Sequence, residues 1–165
     1  MKRSSIAWTV ILISLGLLTS AVASQETLQI AFKKYELSNG LDVILHEDHS
    51  IPIVHVLMGY GVGMDDDRPD QTELAHLFEH LMYLGGSQHH PNGHPETLKK
   101  IGGISNAFTS RKGTGYSTEL PSNHLELALW LESDRMGFLL PAINQEKLNV
   151  ARDAVINELQ RWLLR

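Results

Sequence analysis

The sequence contains no cysteine. A disulfide framework is therefore excluded, as is lipid attachment through a cysteine, and any metal ion held by the chain must take histidine and carboxylate ligands. Basic residues are also few, 14 Lys and Arg against 19 Asp and Glu, and an acidic surface argues against nucleic acid as a partner. No internal repeat, low-complexity stretch or interdomain linker stands out, and 165 residues leave room for one modest domain. The one long apolar run lies at the N-terminus. Lys2 and Arg3 precede the mostly apolar stretch Ile6 to Leu18, and Ala21-Val22-Ala23 supplies an A-x-A site, together the pattern of a signal peptide over residues 1–23. The run is short and wrongly flanked for a membrane span, so a cleaved signal peptide is favoured, with an uncleaved anchor as the alternative. The expectation is an exported chain, residues 24–165, with no stable membrane association after cleavage, and periplasmic in a Gram-negative source. Loss of Lys2 and Arg3 leaves 12 basic against 19 acidic residues, a net charge of −7.

What the chain does have is histidine, nine in all. Two of them stand four apart in Ala75-His76-Leu77-Phe78-Glu79-His80-Leu81. On an α-helix that spacing stacks the two imidazoles where both reach one metal ion, and Glu79 beside the second could address a water on that metal. This is H-x-x-E-H, the inverse of the H-E-x-x-H zinc motif. Asp70 with Glu73, or Thr72 alone, is spaced to cap the helix, and Gly85-Gly86 to end it. Leu74, Leu77, Phe78 and Leu81 form an i, i+3, i+4, i+7 stripe expected to face a core, with His76, Glu79 and His80 grouped on the opposite side. A solvated polar face fits the same angles.

Before that helix, Tyr35-Glu36-Leu37 and Leu41 to Leu45 flank Asn39-Gly40 and read as a β-hairpin. His46 to His49 reads as a surface loop, and Ile53 to Met58 as a buried strand with His55 at the core edge. Gly61, Gly63 and Asp65-Asp66-Asp67 form a turn delivering the chain to the motif helix. After it, His89, His90 and His94 lie among Pro and Gly with no periodicity to fix their geometry, so solvated loop histidines are expected over a metal cluster. A short helix over Pro95 to Ile101, closed by Gly102-Gly103, leads to two strands, Ile104 to Ser110 and Gly115 to Leu120, joined by a hairpin loop. Pro121-Ser122-Asn123 opens a long helix, with Asn123 and Glu126 spaced as a capping box. Its run Leu125 to Leu140 is apolar on most sides, so it is expected in the core, with Trp130 and Phe138 as packing residues.

The last helix, Gln145 to about Leu164, repeats Leu148, Ala151, Val155, Leu159 and Trp162 at helical spacing. Glu158 borders that face. A carboxylate there is costly to bury uncompensated; a metal ion, an arginine such as Arg161, or water would each serve.

In five ordered blocks the chain resembles the pitrilysin family of zinc metallopeptidases, which includes the insulin-degrading enzymes and the mitochondrial processing peptidases. The blocks are Leu37 to Leu45, Ala75 to Met82, Gly102-Gly103 with Asn106 to Ser110, Leu127 to Met136 (close to the bacterial branch), and Arg152 to Glu158. The resemblance implies that His76, His80 and Glu158 hold Zn2+ and that Glu79 is the general base. It also implies that Asn106 and Ala107 lie on a strand to which an extended peptide substrate adds itself by main-chain pairing. Some relatives carry a glutamate two turns before the third ligand, where this chain has Ala151. Family members also run to several hundred residues, so the expectation is a partial N-terminal domain, with a C-terminal half or second subunit completing the substrate site.

The expected fold is α+β, a mostly antiparallel sheet with helices packed on one face. The expected function is zinc-dependent endopeptidase action on peptides or small proteins. The alternative is a non-catalytic fragment or subunit that binds a partner or a peptide strand. A weaker third reading is a metal-binding module using the histidines broadly.

Overall fold

Alternating side chains shape the three-stranded antiparallel sheet at the centre of the chain. Its order is β3-β5-β4, with β3 over Ile53–Tyr60, β4 over Ile104–Thr109 and β5 over Thr114–Pro121. In β5 the even-numbered Thr114, Tyr116, Thr118 and Leu120 are buried; across the register, Val54 and Val56 of β3 share their face. The helices cover that face. Leu98, Leu120, Ala128 and Leu131 form the core, and Val54, Val56, Ile101 and Leu127 pack against it. Ile53, Leu57, Ile104 and Phe108, on the other face, are exposed. The architecture is α+β with helices on one face of the antiparallel sheet, as the sequence led us to expect. The strand at 53–60 is not buried throughout, however: it is an edge strand with one face open, and His55 is exposed.

The structure, a computed structural model, describes residues 29–164. The signal-peptide segment 1–23 lies outside them. No helix among the described residues is long and apolar enough to cross a membrane. The chain divides into two units after Asp48. In the first, β1 (Lys33–Glu36) pairs antiparallel with β2 (Asp42–Leu45). The connection is longer than a two-residue turn: Gly40 N–H donates to Leu37 O while Gly40 takes φ +85, a conformation that favours glycine.

In the second unit the helices are α1 (Leu74–Leu84), α2 (Gly93–Lys99), α3 (Leu125–Phe138) and α4 (Gln145–Leu163). The turn between β3 and α1 docks on the β4–β5 hairpin, where Met64 N–H and Asp65 N–H donate to Ser110 O and Arg111 O. Only glycine fits at position 63, because a Cβ there would lie 2.5 Å from Ser110 O. The acidic run is also the cap of α1. Asp67 carboxylate oxygens accept from Leu74 N–H (3.1 Å) and Ala75 N–H (2.9 Å), in place of the expected Asp70–Glu73 or Thr72 caps. Asn123–Glu126 likewise forms no capping box: a 3₁₀ turn over Ser122–His124 precedes α3, which starts without a side-chain cap. By contrast α4 is capped by Asn144, whose side-chain oxygen accepts from Lys147 N–H at 2.9 Å.

Candidate metal centre

The motif helix faces the protein with its polar side. Ala75, Glu79 and His80 are buried; of the expected core stripe, Leu81 is buried and Leu77 half-buried, whereas Leu74 and Phe78 are exposed. Both sides contribute to the inward surface because α1 packs against the sheet and α4 together. On that inward surface His80 Nε2 lies 3.3 Å from His76 Nε2.

Glu158, on α4, completes the group. Its carboxylate oxygens approach His76 Nε2 at 3.3 Å and His80 Nε2 at 3.6 Å. It makes neither the Arg161 pair nor a purely solvated contact; Arg161 Nε instead donates to Asn157 O. One ligand atom from each of the three residues falls within 4.8 Å of the others. Ligands about 2.1 Å from a tetrahedral zinc sit about 3.4 Å apart, so the spacing suits that ion. The chemistry of the donor set agrees. His76 Nδ1 is hydrogen-bonded to Glu73 Oε2 at 2.9 Å, which leaves Nε2 facing Glu158 and His80. Two imidazoles and a carboxylate are donors that zinc accepts.

Glu79 is buried and held from the strand side, where Thr109 Oγ1 donates to its Oε2 at 2.5 Å. Thr109 ends β4, the strand that carries Asn106 (exposed) and Ala107 (half-buried). Among the described residues β4 pairs only with β5, leaving its other edge open. Beside Glu79 a cavity of about 330 Å³ is walled chiefly by Leu74, Phe78, Met82, Tyr60 and Tyr116. Ala151, where some relatives have a carboxylate, is buried.

The other histidines are not the solvated group expected. His90 and His94 are buried, and only His89 of the three is exposed. They meet the polar side of α3. His89 Nδ1 and His90 Nε2 (2.8 Å) contact the Asp134 carboxylate, while Arg135 donates to His94 Nδ1 and lies 3.4 Å from Glu132. The Arg135 guanidinium also stacks 4.0 Å above the Tyr116 ring. Thus α3 buries Glu132, Asp134 and Arg135 and leaves Trp130 and Phe138 about half exposed, packed on the histidine loop and not in the core. Burial lowers the His90 pKa, and burial with the Arg135 charge takes that of His94 down to about 2. Burial pushes Glu132 up. For Asp134, burial is outweighed by hydrogen bonds from Ser87 and His89, which hold the carboxyl below its usual range.

Three functional contacts escaped the sequence reading: Glu73, Thr109 and the Asp67 cap. Asp67 and Glu73 stand within ten residues of His76, but nothing in their spacing says which carboxylate turns back toward the helix. Thr109 depends on strand and helix meeting, which no local pattern reveals.

The profile of the family described as Insulinase (Peptidase family M16) matches residues 42–162. The chain is 30% identical over 133 residues to human insulin-degrading enzyme, a match covering 79% of this chain and 13% of that one. It is 25% identical over 130 residues to an uncharacterised zinc protease of Bacillus subtilis, covering 79% and 31%. The crystal structure of pitrilysin superposes with a TM-score of 0.71 at 28% identity, over 82% of this chain and 15% of that one. The chain thus spans less than a third of the length of these relatives.

Proposed function

From a chain that belongs to the insulinase family of peptidases (family M16), we propose a zinc-dependent endopeptidase site in which His76, His80 and Glu158 hold the metal and Glu79 is the general base. The carrying observation is the convergence of two stacked histidines on α1 with a carboxylate from α4, 78 residues after His80, at 3.3 and 3.6 Å. A bound zinc supplies an acidified water and a Lewis acid for the scissile carbonyl. Glu79 takes the proton of the attacking water and returns it to the leaving amine. Thr109 holds one Glu79 oxygen, leaving the other free for that transfer.

Substrate binding is assigned to the open edge of β4. A peptide paired there beside Asn106 and Ala107 runs toward Thr109, and Thr109 touches Glu79, so the strand leads to the general base. Main-chain pairing reads extended shape more than sequence, which favours a broad range of peptides. Because the relatives are more than three times as long, we assign the remaining substrate contacts to a C-terminal half or a second subunit. The open edge equally supports the other reading, a non-catalytic subunit that holds a peptide strand.

Zinc analysis beside peptide cleavage separates the two. Wild type should carry about one zinc per chain, Glu158→Gln should lose it, and Glu79→Gln should keep it while losing chelator-sensitive cleavage. Cleavage that survives Glu79→Gln would sink the catalytic assignment. Zinc without cleavage, even after a separately made C-terminal half is added, would favour the binding subunit.

A further inference from the structure

Among the described residues Glu73 is the sole non-glycine with positive φ, at φ 66 and ψ 15. Glycine would adopt that conformation freely, whereas a glutamate there is strained. The strain has no role in starting the helix. The first N–H groups of α1, those of Leu74 and Ala75, are already satisfied by Asp67, and the Glu73 carbonyl that accepts from Leu77 N–H would be present in any residue. What the side chain adds is one contact, its Oε2 at 2.9 Å from His76 Nδ1, in a part-buried setting. The turned backbone brings this carboxylate back over the helix start to reach the ring three residues on.

We infer that Glu73 is a positioning residue for His76, fixing its Nδ1–H tautomer and its ring orientation so that Nε2 is presented with Glu158 and His80. The inference rests on the zinc reading above. The His76 ring then lies between two carboxylates, Glu73 at Nδ1 and Glu158 at Nε2. A carboxylate on the far nitrogen of a metal-binding imidazole raises its basicity and removes the freedom the ring would lose on binding. No other acidic residue makes this contact, so its loss is not compensated among the described residues.

Glu73→Gly and Glu73→Gln test it, because glycine keeps the backbone turn and removes the carboxylate. Zinc affinity, by chelator competition, should fall 10- to 100-fold in Glu73→Gly and less in Glu73→Gln, which keeps an acceptor. The metal-free Glu73→Gly protein should unfold at the same temperature as wild type or higher. Imidazole nitrogen NMR of the metal-free proteins should show His76 as the Nδ1–H tautomer in wild type and as a mixture in Glu73→Gly. Affinity within twofold of wild type in Glu73→Gly overturns this inference alone. So does a parallel loss of metal-free stability, which would mark Glu73 as a folding residue. A wild-type protein that binds no zinc overturns the metal reading and this inference with it, whatever the tautomer measurement gives.

Discussion

At the residue scale the site depends on groups that touch the reacting side chains without being ligands. Thr109 is the plainest case. Its hydroxyl, at 2.5 Å from Glu79 Oε2, is the sole hydrogen-bond donor to that carboxylate among the described residues, and a bond to a charged group contributes about 1.5–3 kcal/mol. Valine keeps the β-branched shape and removes the donor. Thr109→Val should therefore lower chelator-sensitive peptide cleavage about tenfold or more and leave zinc content at the wild-type level. Loss of both together would place Thr109 in the fold of the site, not in the aim of its base. Here the sequence was legible for the proposed ligands on α1 and silent about the groups around them. His76 and His80 announce themselves by a helical spacing that one metal requires. Thr109 is one threonine among several on alternating strands, and its meeting with Glu79 exists only after β4 is laid beside α1.

At the element scale, α3 shows how a helix can be read correctly in extent and wrongly in direction. Its sequence is apolar around most of the circumference, so periodicity could not say which side turns inward. The structure buries the Glu132, Asp134 and Arg135 side and sets it against the loop histidines. That loop was read as solvated because it has no period, and burial through charged partners on a distant helix leaves no local mark. The network has a pH signature. The folded state holds His90 below its ordinary pKa and His94 at about 2, so below about pH 6.5 the unfolded chain binds protons that the folded chain refuses. Stability is then fullest above that pH and falls as the solution is acidified. Glu132, raised by burial, opposes the trend because the folded state takes its proton first; Asp134, lowered, adds to the loss only at more acid pH. Arg135, the other charged group against His94, does not change charge in this range. Two histidines against one carboxylate leave a net fall. In the metal-free protein, urea unfolding at pH 6 and pH 5 should show wild type losing roughly 1 kcal/mol more than His94→Gln. Equal losses would mean His94 titrates freely and the network is open to solvent.

At the scale of the second unit, the proposed metal centre bridges two helices that are far apart in sequence and pack on each other. Leu159 and Trp162 on α4 are nevertheless exposed, contrary to the continuous buried face that their spacing suggested. Only Ala151 and Val155 of that stripe are buried, with Leu148 partly so. The spacing correctly identified the helix and its inward side near Val155; it could not show that the neighbouring surface ends before Leu159. With so little apolar contact beyond Val155, an ion bridging Glu158 to the histidines should carry much of the stability of this part of α4. A ligand that binds only the folded state stabilises it by about 2.7 kcal/mol at a hundredfold excess over its Kd, which for a domain of this size raises Tm by roughly 10 °C. Zinc should therefore raise the wild-type midpoint by about that amount and a chelator should reverse it. Glu158→Gln, lacking the α4 ligand, should respond to neither. If wild type and variant shifted alike, zinc would be acting through the two histidines of α1 alone, and α4 would be held by its packing and not by the metal.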